Sequence, residues 1–350
     1  MNRQEIARKI LAAGTVIPAT PLALTADRKF DREQQKILTR YYLEAGAGGI
    51  ATAVHSTQFE IRKPEFQLFE PVLRTVNEAI DQYEADTGRV VVKVAGVCGK
   101  TEQAVAEALL AKEIGYDAVL LSPGGLGDWS EEQMLERTRA VAEHMPVIGF
   151  YLQPSVGGRV FSYNYWAQLC EIPNVVAIKS APFNRYLTLD VVRACALSSR
   201  ADEITLYTGN DDNIVVDLLT EYSFTVDGKT CKKRFQGGLL GHWSVWTKKV
   251  VELFAQLQER KVTPELLTLA TEITDANEVI FDARNQFAGC IPGIHEILRR
   301  QGLMKGTWCL NPEEVLSPGQ AEEIDRIYRM YPHLNDDDFA KEFLKKYGAC

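Results

Sequence analysis

Short apolar runs alternate with amphipathic helical stretches along most of the chain. Eight runs have the length and composition of strands: 15–19, 49–54, 90–97, 117–121, 146–151, 174–179, 203–208 and 235–240. Helical stretches fall between these runs and after the eighth, which is the βα repeat from which parallel sheets are built. Eight such even units predict an α/β fold, a (β/α)8 TIM barrel. The rival is a doubly wound sheet, which rarely contains eight units of this kind.

Residues typical of helix ends mark where the helices begin and end. Asp31 is a predicted N-cap, and Thr101 opens a later helix. Gly46 and Gly115 stand where helix C-caps are expected. The helix boundaries therefore agree with the βα alternation.

Beyond about residue 262 the strand signal stops. Four helices are predicted there: 264–286, 291–301, 317–330 and 336–347. We therefore expect a barrel domain over residues 1–262 and a helical C-terminal extension, residues 263–350, packed on the barrel. The polar, basic segment 223–235 before the eighth strand is predicted to be a solvated loop.

Composition and charge narrow the function classes and the location. The 350 residues carry a net charge of −8, which argues against nucleic acid or an anionic membrane as the main partner. No apolar run approaches the roughly 20 residues that span a bilayer. The N-terminus has scattered charges and no uninterrupted apolar core, so no secretory signal is predicted and the cytoplasm is the expected location. Seven cysteines and five histidines, without a CxxC pair or clustering, predict neither a metal site nor a disulfide framework.

One lysine stands in an apolar run. In VVAIKSA (175–181), Lys179 follows residues that are typical of a strand buried on both faces. A buried ammonium is costly unless it is paired or its pKa falls, and a neutral amine attacks ketones to form a Schiff base. The alternative is a lysine paired with a carboxylate at the barrel rim, and this strand alone leaves both open.

Other strand ends carry groups compatible with such chemistry, because active sites of these barrels lie at the C-terminal ends of the strands. Tyr151 in GFYLQP ends the fifth strand and could transfer protons. Ser56 and Thr57, in HSTQFE after the second strand, offer hydroxyls and backbone N–H groups for a carboxylate. Gly209, in TGND after the seventh strand, allows close approach of a ligand.

Together these motifs resemble the dihydrodipicolinate synthase / N-acetylneuraminate lyase family of class I, Schiff-base aldolases. The resemblance extends from about Gly14 to Leu334. It rests on five segments, which are IPATPL, GFYLQP, VVAIKSA, TGND and GGLLG. It rests also on Asp31 and on the Ser-Thr pair at 56–57. Members of this family are barrels with a helical C-terminal part, usually homotetramers, and need no metal or organic cofactor. The resemblance thus implies a homo-oligomer, tetramer or dimer, whose partner is a small 2-oxo acid.

The resemblance also assigns roles to residues. Lys179 would form the Schiff base and Tyr151 would be the proton shuttle. Ser56 would be the relay hydroxyl and would hold the carboxylate together with Thr57. The remaining predicted substrate-binding residues are His55, Gly209, Asn210 and Arg159.

Departures from the family pattern bear on the substrate. His55 replaces a glycine before the Ser-Thr pair, and Gln58-Phe59 replaces the following Gly-Glu. Gly124 and Gly125 stand where relatives carry aromatic residues, one of them the tyrosine that completes the relay. Val156 stands nearest to an arginine of the lysine-pathway synthase, and Arg159 reaches that place only with a loop insertion. These departures argue against lysine biosynthesis.

Three functions remain in competition. The first is an aldolase, dehydratase or related lyase that acts through an imine on Lys179 with pyruvate or a 2-oxo-3-deoxy sugar acid. The second is a non-catalytic barrel that binds a 2-oxo acid or sugar acid with a degenerate proton relay. The third is a phosphate-binding barrel, against which the acidic TGNDDN segment argues. The retained Tyr151 and Lys179 favour the lyase.

Overall fold

The computed structural model describes residues 1–348 and contains the eight predicted parallel strands. Their bounds are β1 Val16–Pro18, β2 Gly49–Thr52, β3 Val92–Val97, β4 Ala118–Leu121, β5 Val147–Leu152, β6 Val175–Ala181, β7 Thr205–Thr208 and β10 Phe235–Leu240. They form one sheet in the order β1-β10-β7-β6-β5-β4-β3-β2. A parallel bridge between Ala19 and Ala51 also joins the two strands at the ends of that order, β1 and β2. This is the strand order of a (β/α)8 barrel, as predicted.

Thirteen α-helices accompany the strands in the described residues. Their bounds are α1 Arg3–Ala13, α2 Arg32–Ala45, α3 Phe69–Thr87, α4 Thr101–Ile114, α5 Glu131–Ala142, α6 Tyr163–Cys170, α7 Arg185–Leu197, α8 Ile214–Leu219, α9 Thr247–Leu257, α10 Pro264–Ile280, α11 Cys290–Arg300, α12 Gln320–Met330 and α13 Asp337–Tyr347. Helices α10 to α13 match the four predicted C-terminal helices, although the first ends earlier than expected. The domain boundary at residue 262 stays a prediction.

The predicted caps are present. The Asp31 side chain accepts a hydrogen bond from the backbone N–H of Gln34 at 3.1 Å. Gly46 and Gly115 end α2 and α4 with φ values of 111° and 106°, which residues with a β-carbon rarely adopt.

Two compact units divide the chain. The first unit is Met1–Thr15 with Val92–Leu239. Its strands β3 to β7 pair in parallel, with Phe150 opposite Lys179 across β5 and β6. All residues of these strands are buried except Val176, so the apolar runs found in the sequence form its core.

The second unit is Val16–Val91 with the described residues from Leu240 onward. Buried polar bonds join its C-terminal region to α2. The Tyr41 hydroxyl donates to the Asp336 carboxylate at 2.6 Å, and the Gln34 amide donates to the Leu303 carbonyl at 2.7 Å. The C-terminal region is therefore attached to α2 by specific bonds as well as by apolar packing.

The segment 223–235, predicted to be a solvated loop, is instead an antiparallel hairpin. Strands β8 (Tyr222–Val226) and β9 (Lys229–Lys233) pair in register from Tyr222–Lys233 to Val226–Lys229. Between them Asp227 and Gly228 have φ values of 50° and 76°. An Asp-Gly pair with two positive φ angles is the turn that matches strand twist in a two-residue hairpin. The polar composition hid this signal.

No helix within residues 1–348 is long and apolar enough to cross a bilayer. Within the same residues, no three histidine, cysteine or acidic side chains come together as a metal site would require. Six cysteines are free thiols; Cys350 lies outside the described residues.

Candidate active site

Lys179 lies inside the first unit, two residues before the end of β6. It is 8% exposed, and its Nζ lies 4.4 Å from the centre of the Phe150 ring. No carboxylate within residues 1–348 forms an ion pair with it. Burial lowers the pKa of Lys179 to about 8, while the charge of Asp211 acts in the opposite direction. With that pKa, about a tenth of the molecules hold a neutral, nucleophilic amine at pH 7.

Gly209 follows β7 and packs against the stem of Lys179. A β-carbon at Gly209 would lie 2.6 Å from Cε of Lys179 and 2.8 Å from Cβ of Ala181. The Gly209 amide donates to the carbonyl of Ser180 at 2.8 Å, which fixes the backbone in that position. In the structure the absent β-carbon makes room for the lysine side chain, and the close approach of a ligand to Gly209 stays a prediction.

Asn210 is completely buried beside this glycine. Its Oδ1 accepts from the Phe183 backbone N–H at 3.1 Å. Its Nδ2 donates to Asp217 at 2.9 Å and to the Thr188 hydroxyl at 3.3 Å. Both amide hydrogens are therefore committed within the protein, and a substrate-binding role for Asn210 stays a prediction.

Tyr151 lies on the helix-facing side of the sheet. In the register of β5 and β6, Phe150 is opposite Lys179, whereas Tyr151 is opposite Ser180. Successive strand residues point to opposite faces, and the Tyr151 ring lies 5.0 Å from that of Trp166 in α6. The structure thus brings Phe150, and not Tyr151, to the lysine.

The phenol of Tyr151 is buried and already hydrogen-bonded. Its oxygen accepts from the backbone N–H of Phe161 at 3.2 Å. Burial is the main cause that raises the pKa of Tyr151, and the bond from Phe161 lowers it. The proton-shuttle role of Tyr151 stays a prediction of the motif.

Arg159 holds the glycine-containing loop that follows β4. Its guanidinium donates to the carbonyls of Trp129 and, at 3.4 Å, Leu126. It also lies 5.2 Å from the centre of the Phe161 ring. Arg159 and Tyr151 therefore both contact Phe161, and both bonds from Arg159 to the loop use the same nitrogen, Nη1.

The Ser-Thr pair lies in the second unit, in a short 3₁₀ turn, His55–Thr57. The Ser56 hydroxyl donates to the Ala19 carbonyl and the Thr57 hydroxyl to the Thr20 carbonyl, both at 2.6 Å. Both side chains are almost completely buried. Since each hydroxyl hydrogen is used, each oxygen is left to act as an acceptor.

Strained backbone flanks this turn. Ala53 and Gln58 have φ values of 62° and 67°, in a region that favours glycine. The Gln58 side-chain oxygen accepts from the Leu310 N–H at 2.6 Å, which ties the turn to the C-terminal region. His55 lies with its ring centre 5.9 Å from that of Phe59. The three predicted residues here, His55, Ser56 and Thr57, thus share one anchored turn.

Two residues of this environment escaped the sequence analysis. Phe150 looked like ordinary core, and only the strand register shows that it faces the lysine. Asp217 is completely buried in α8 and accepts from Asn210. Its signal was a single acid within the apolar run IVVDLL, residues 214–219, since buried carboxylates require partners.

Comparison with known sequences agrees with the family resemblance found in the sequence motifs. The model of the dihydrodipicolinate synthetase family matches residues 12–328. The 4-hydroxy-tetrahydrodipicolinate synthase of Clostridium novyi (strain NT) is 27% identical over 195 residues, 54% of this chain and 60% of that protein. That of Staphylococcus carnosus (strain TM300) is 30% identical over 150 residues, 42% of this chain and 47% of that protein. The chain thus spans about half to two thirds of the length of these curated relatives.

Solved structures match over nearly the whole chain. YagE, a prophage protein of the dihydrodipicolinic acid synthase family from E. coli K12 in complex with pyruvate, has a TM-score of 0.74 at 17% identity, covering 91% of this chain and 98% of that one. N-acetylneuraminate lyase from Fusobacterium nucleatum has a TM-score of 0.70 at 14% identity, covering 91% and 99%. At these identities the similarity concerns the fold, and the predicted fold class is confirmed.

Proposed function

Because the chain belongs to the dihydrodipicolinate synthetase family, we propose that it is a class I lyase that binds a 2-oxo acid as a Schiff base on Lys179. The observation that carries this proposal is the state of that side chain. Lys179 is buried beside Phe150, it has no ion-pair partner within residues 1–348, and burial lowers its pKa to about 8. A lysine kept only for structure gains little from such a position, because desolvation of its charge outweighs the attraction of Asp211.

The chemistry follows from the neutral amine. The nitrogen attacks the C2 carbonyl of the acid, and loss of water from the carbinolamine leaves an imine. Once protonated, the imine draws electrons from C3, so that a C–C bond can break or a C3 proton can leave to give an enamine. Aldol cleavage, condensation and dehydration share this intermediate. All of them proceed without a metal or an organic cofactor.

The roles of the other predicted residues rest on the motifs. Ser56 and Thr57 would bind the substrate carboxylate once their hydroxyl hydrogens turn away from the carbonyls of Ala19 and Thr20, and Tyr151 would transfer protons. The phenol oxygen of Tyr151 accepts a bond from the Phe161 N–H, which leaves its own hydrogen available for transfer. The expected homo-oligomer and the cytoplasmic location likewise rest on the resemblance and on the sequence pattern.

Departures after β4 and β5 support a substrate other than that of the lysine pathway. Gly124 and Gly125 provide no aromatic side chain, and Arg159 donates to the loop carbonyls of Leu126 and Trp129. We therefore propose pyruvate or a longer 2-oxo acid, such as a 2-oxo-3-deoxy sugar acid, as the first substrate. Aspartate semialdehyde is not the proposed second substrate.

Borohydride trapping tests the proposal. The protein is incubated with a panel of short and sugar-derived 2-oxo acids, reduced, digested and mapped by mass spectrometry. One reduced-imine mass on Lys179 is expected, and no adduct on Lys179→Met. Lys93, which is also buried in a strand of the first unit, serves as the internal comparison.

Trapping is then followed by turnover assays with each acid that forms an adduct. Absence of any adduct, or an adduct on Lys93 instead, would overturn the Schiff-base mechanism. An adduct on Lys179 without turnover of any candidate substrate would leave binding in place and overturn the enzymatic function.

A further inference from the structure

One buried carboxylate gathers five hydrogen-bond donors near the proposed imine lysine. Asp217, in α8, is completely buried. The donors to its two oxygens are Arg185 at 2.5 Å, Thr208 at 2.7 Å, Asn210 at 2.9 Å, Asn213 at 3.0 Å and Tyr222 at 3.3 Å. Side chains from before, within and after β7 are thus bound to a single residue.

Two of these donors belong to the turn that packs on Lys179. Thr208 ends β7 and Asn210 lies two residues later, so Asp217 is hydrogen-bonded to both residues that flank Gly209. The Thr208 hydroxyl also accepts from the backbone N–H of Asn210 at 3.2 Å, which closes the turn internally. On its other side, Gly209 is bound to Ser180 of β6. The backbone at Gly209 is therefore fixed from two directions.

From this arrangement we infer that Asp217 is a positioning residue: by holding the turn 208–210, it keeps Gly209 packed against the side chain of Lys179. The inference rests on the proposed function, since it assigns Asp217 to the same site. Gly209 excludes water from the lysine stem, and the same turn places Asp211, the charge that acts on Lys179. Phe150 and Tyr207 are the neighbours of Lys179 in the adjacent strands; Asp211 is thus the charged group that the turn brings to it.

Loosening the turn would let water reach the amine. Desolvation is the main cause of the low pKa of Lys179, so hydration would raise that pKa toward its ordinary value. Each unit of increase leaves about tenfold less neutral amine at neutral pH. A residue that only stabilised the fold would lower the melting temperature without moving this titration.

The test measures the titration of Lys179 directly. The intact chain is trace-labelled with acetic anhydride between pH 6 and 11, and acetylation of Lys179 is quantified by mass spectrometry. Asp217→Asn keeps the shape of the side chain but loses acceptor capacity. It should raise the midpoint pH of Lys179 acetylation by about one pH unit or more, and it should slow pyruvate trapping at pH 7 about tenfold. Thr208→Val, which removes one bond to Asp217 and the acceptor of the Asn210 backbone N–H, should shift the midpoint in the same direction by less. Asp202→Asn, at an exposed position of the same unit, is the matched control and should shift nothing.

The outcomes separate this inference from the proposed function. An unchanged midpoint in Thr208→Val and in folded Asp217→Asn would overturn the positioning role, whatever the wild-type activity. If Asp217→Asn does not fold, Thr208→Val decides alone. If the wild-type chain traps no 2-oxo acid, the proposed function fails, whereas the acetylation midpoint still decides whether Asp217 controls Lys179.

Discussion

Phe150 and Lys179 lie opposite each other on adjacent parallel strands, and the lysine nitrogen is 4.4 Å from the centre of the aromatic ring. The ring has two opposing effects on the amine. Its face attracts the ammonium form, whereas its bulk keeps water away. Since burial lowers the pKa of Lys179 to about 8, exclusion of water is the larger effect. The amine is thereby prepared for attack at a pH where an exposed lysine would be fully charged.

Replacing the lysine should stabilise the fold at neutral pH. The pKa of Lys179 is about 8 in the folded chain and 10.5 in the unfolded chain. Below pH 8 the folded state carries the full cost of a buried charge. A difference of one pKa unit corresponds to 1.36 kcal/mol, so this cost is about 3 kcal/mol. Between pH 8 and 10.5 the folded state loses the proton first, and the cost disappears. We therefore expect Lys179→Met to be more stable than wild type at pH 7, with an advantage that shrinks by pH 10.

Urea unfolding of both proteins at pH 7 and pH 10 measures this difference. Effects of pH on the rest of the molecule cancel, because they are shared by the two proteins. A variant less stable than wild type at pH 7, or an advantage that grows with pH, would contradict the expected cost of the buried ammonium.

Tyr151→Phe tests where the phenol acts. In the structure the variant loses the acceptor for the Phe161 N–H, so we expect a loss of about 1 kcal/mol in the free energy of unfolding. Trapping of pyruvate on Lys179 should stay within about threefold of wild type, because the hydroxyl lies on the other face of the strand. Turnover should fall by about 10² or more, because the proposed function gives the phenol a general acid–base role, and unchanged turnover would contradict that role. Tyr163→Phe, in the first turn of α6, is the matched control.

The strands could be read from the sequence because strands buried on both faces appear as continuous apolar runs. All eight are present within a few residues of their predicted bounds. The hairpin at 222–233 was missed because none of its strand residues is fully buried, most are exposed and most are polar, so no apolar run marks it. The Asp227–Gly228 turn was the signal to follow.

The environment of Lys179 was only partly predictable. A lysine in an apolar run is visible in the sequence, but the neighbour it faces depends on strand register. The pairing of β5 with β6 shifts between Val147 and Ile148, and a shift of one residue exchanges the two faces of a strand. No local pattern reveals that shift. That Phe150 is the residue opposite Lys179 is therefore known only from the structure, whereas the motif-based role of Tyr151 stays a prediction.

Gly209→Ala should disturb the lysine by direct contact. The new methyl group would lie 2.6 Å from Cε of Lys179 and 2.8 Å from Cβ of Ala181. Because Ala181 cannot rotate away, the turn itself must shift, at a cost of about 1–3 kcal/mol. Pyruvate trapping on Lys179 should slow at least about tenfold, since the displaced turn no longer holds the amine. Gly127→Ala, where a β-carbon meets nothing within 4 Å, should match wild type in both stability and trapping. Equal trapping by the two variants would show that contact with Gly209 does not position Lys179.

Gln58 gives a test of strain beside the Ser-Thr turn. Its φ of 67° and ψ of 116° favour glycine, and its side chain accepts the Leu310 N–H. Gln58→Ala and Gln58→Gly both remove this acceptor, but only glycine relieves the backbone. We therefore expect both variants to be destabilised, with the glycine variant more stable than the alanine variant by about 1 kcal/mol in urea unfolding. Backbone strain of this kind costs on the order of 1–3 kcal/mol.

The helical position Gln82 supplies the matched control, because it is exposed on α3. Glycine within a helix is less stable than alanine by about 1 kcal/mol, so the order of the two variants should reverse there. Hydrogen exchange at the Leu310 amide supplies a second measurement, and it should accelerate in both Gln58 variants since the amide loses its acceptor. If alanine at position 58 is as stable as glycine, the turn stores no strain. If exchange at Leu310 is unchanged, the side chain of Gln58 does not anchor the turn to the C-terminal region.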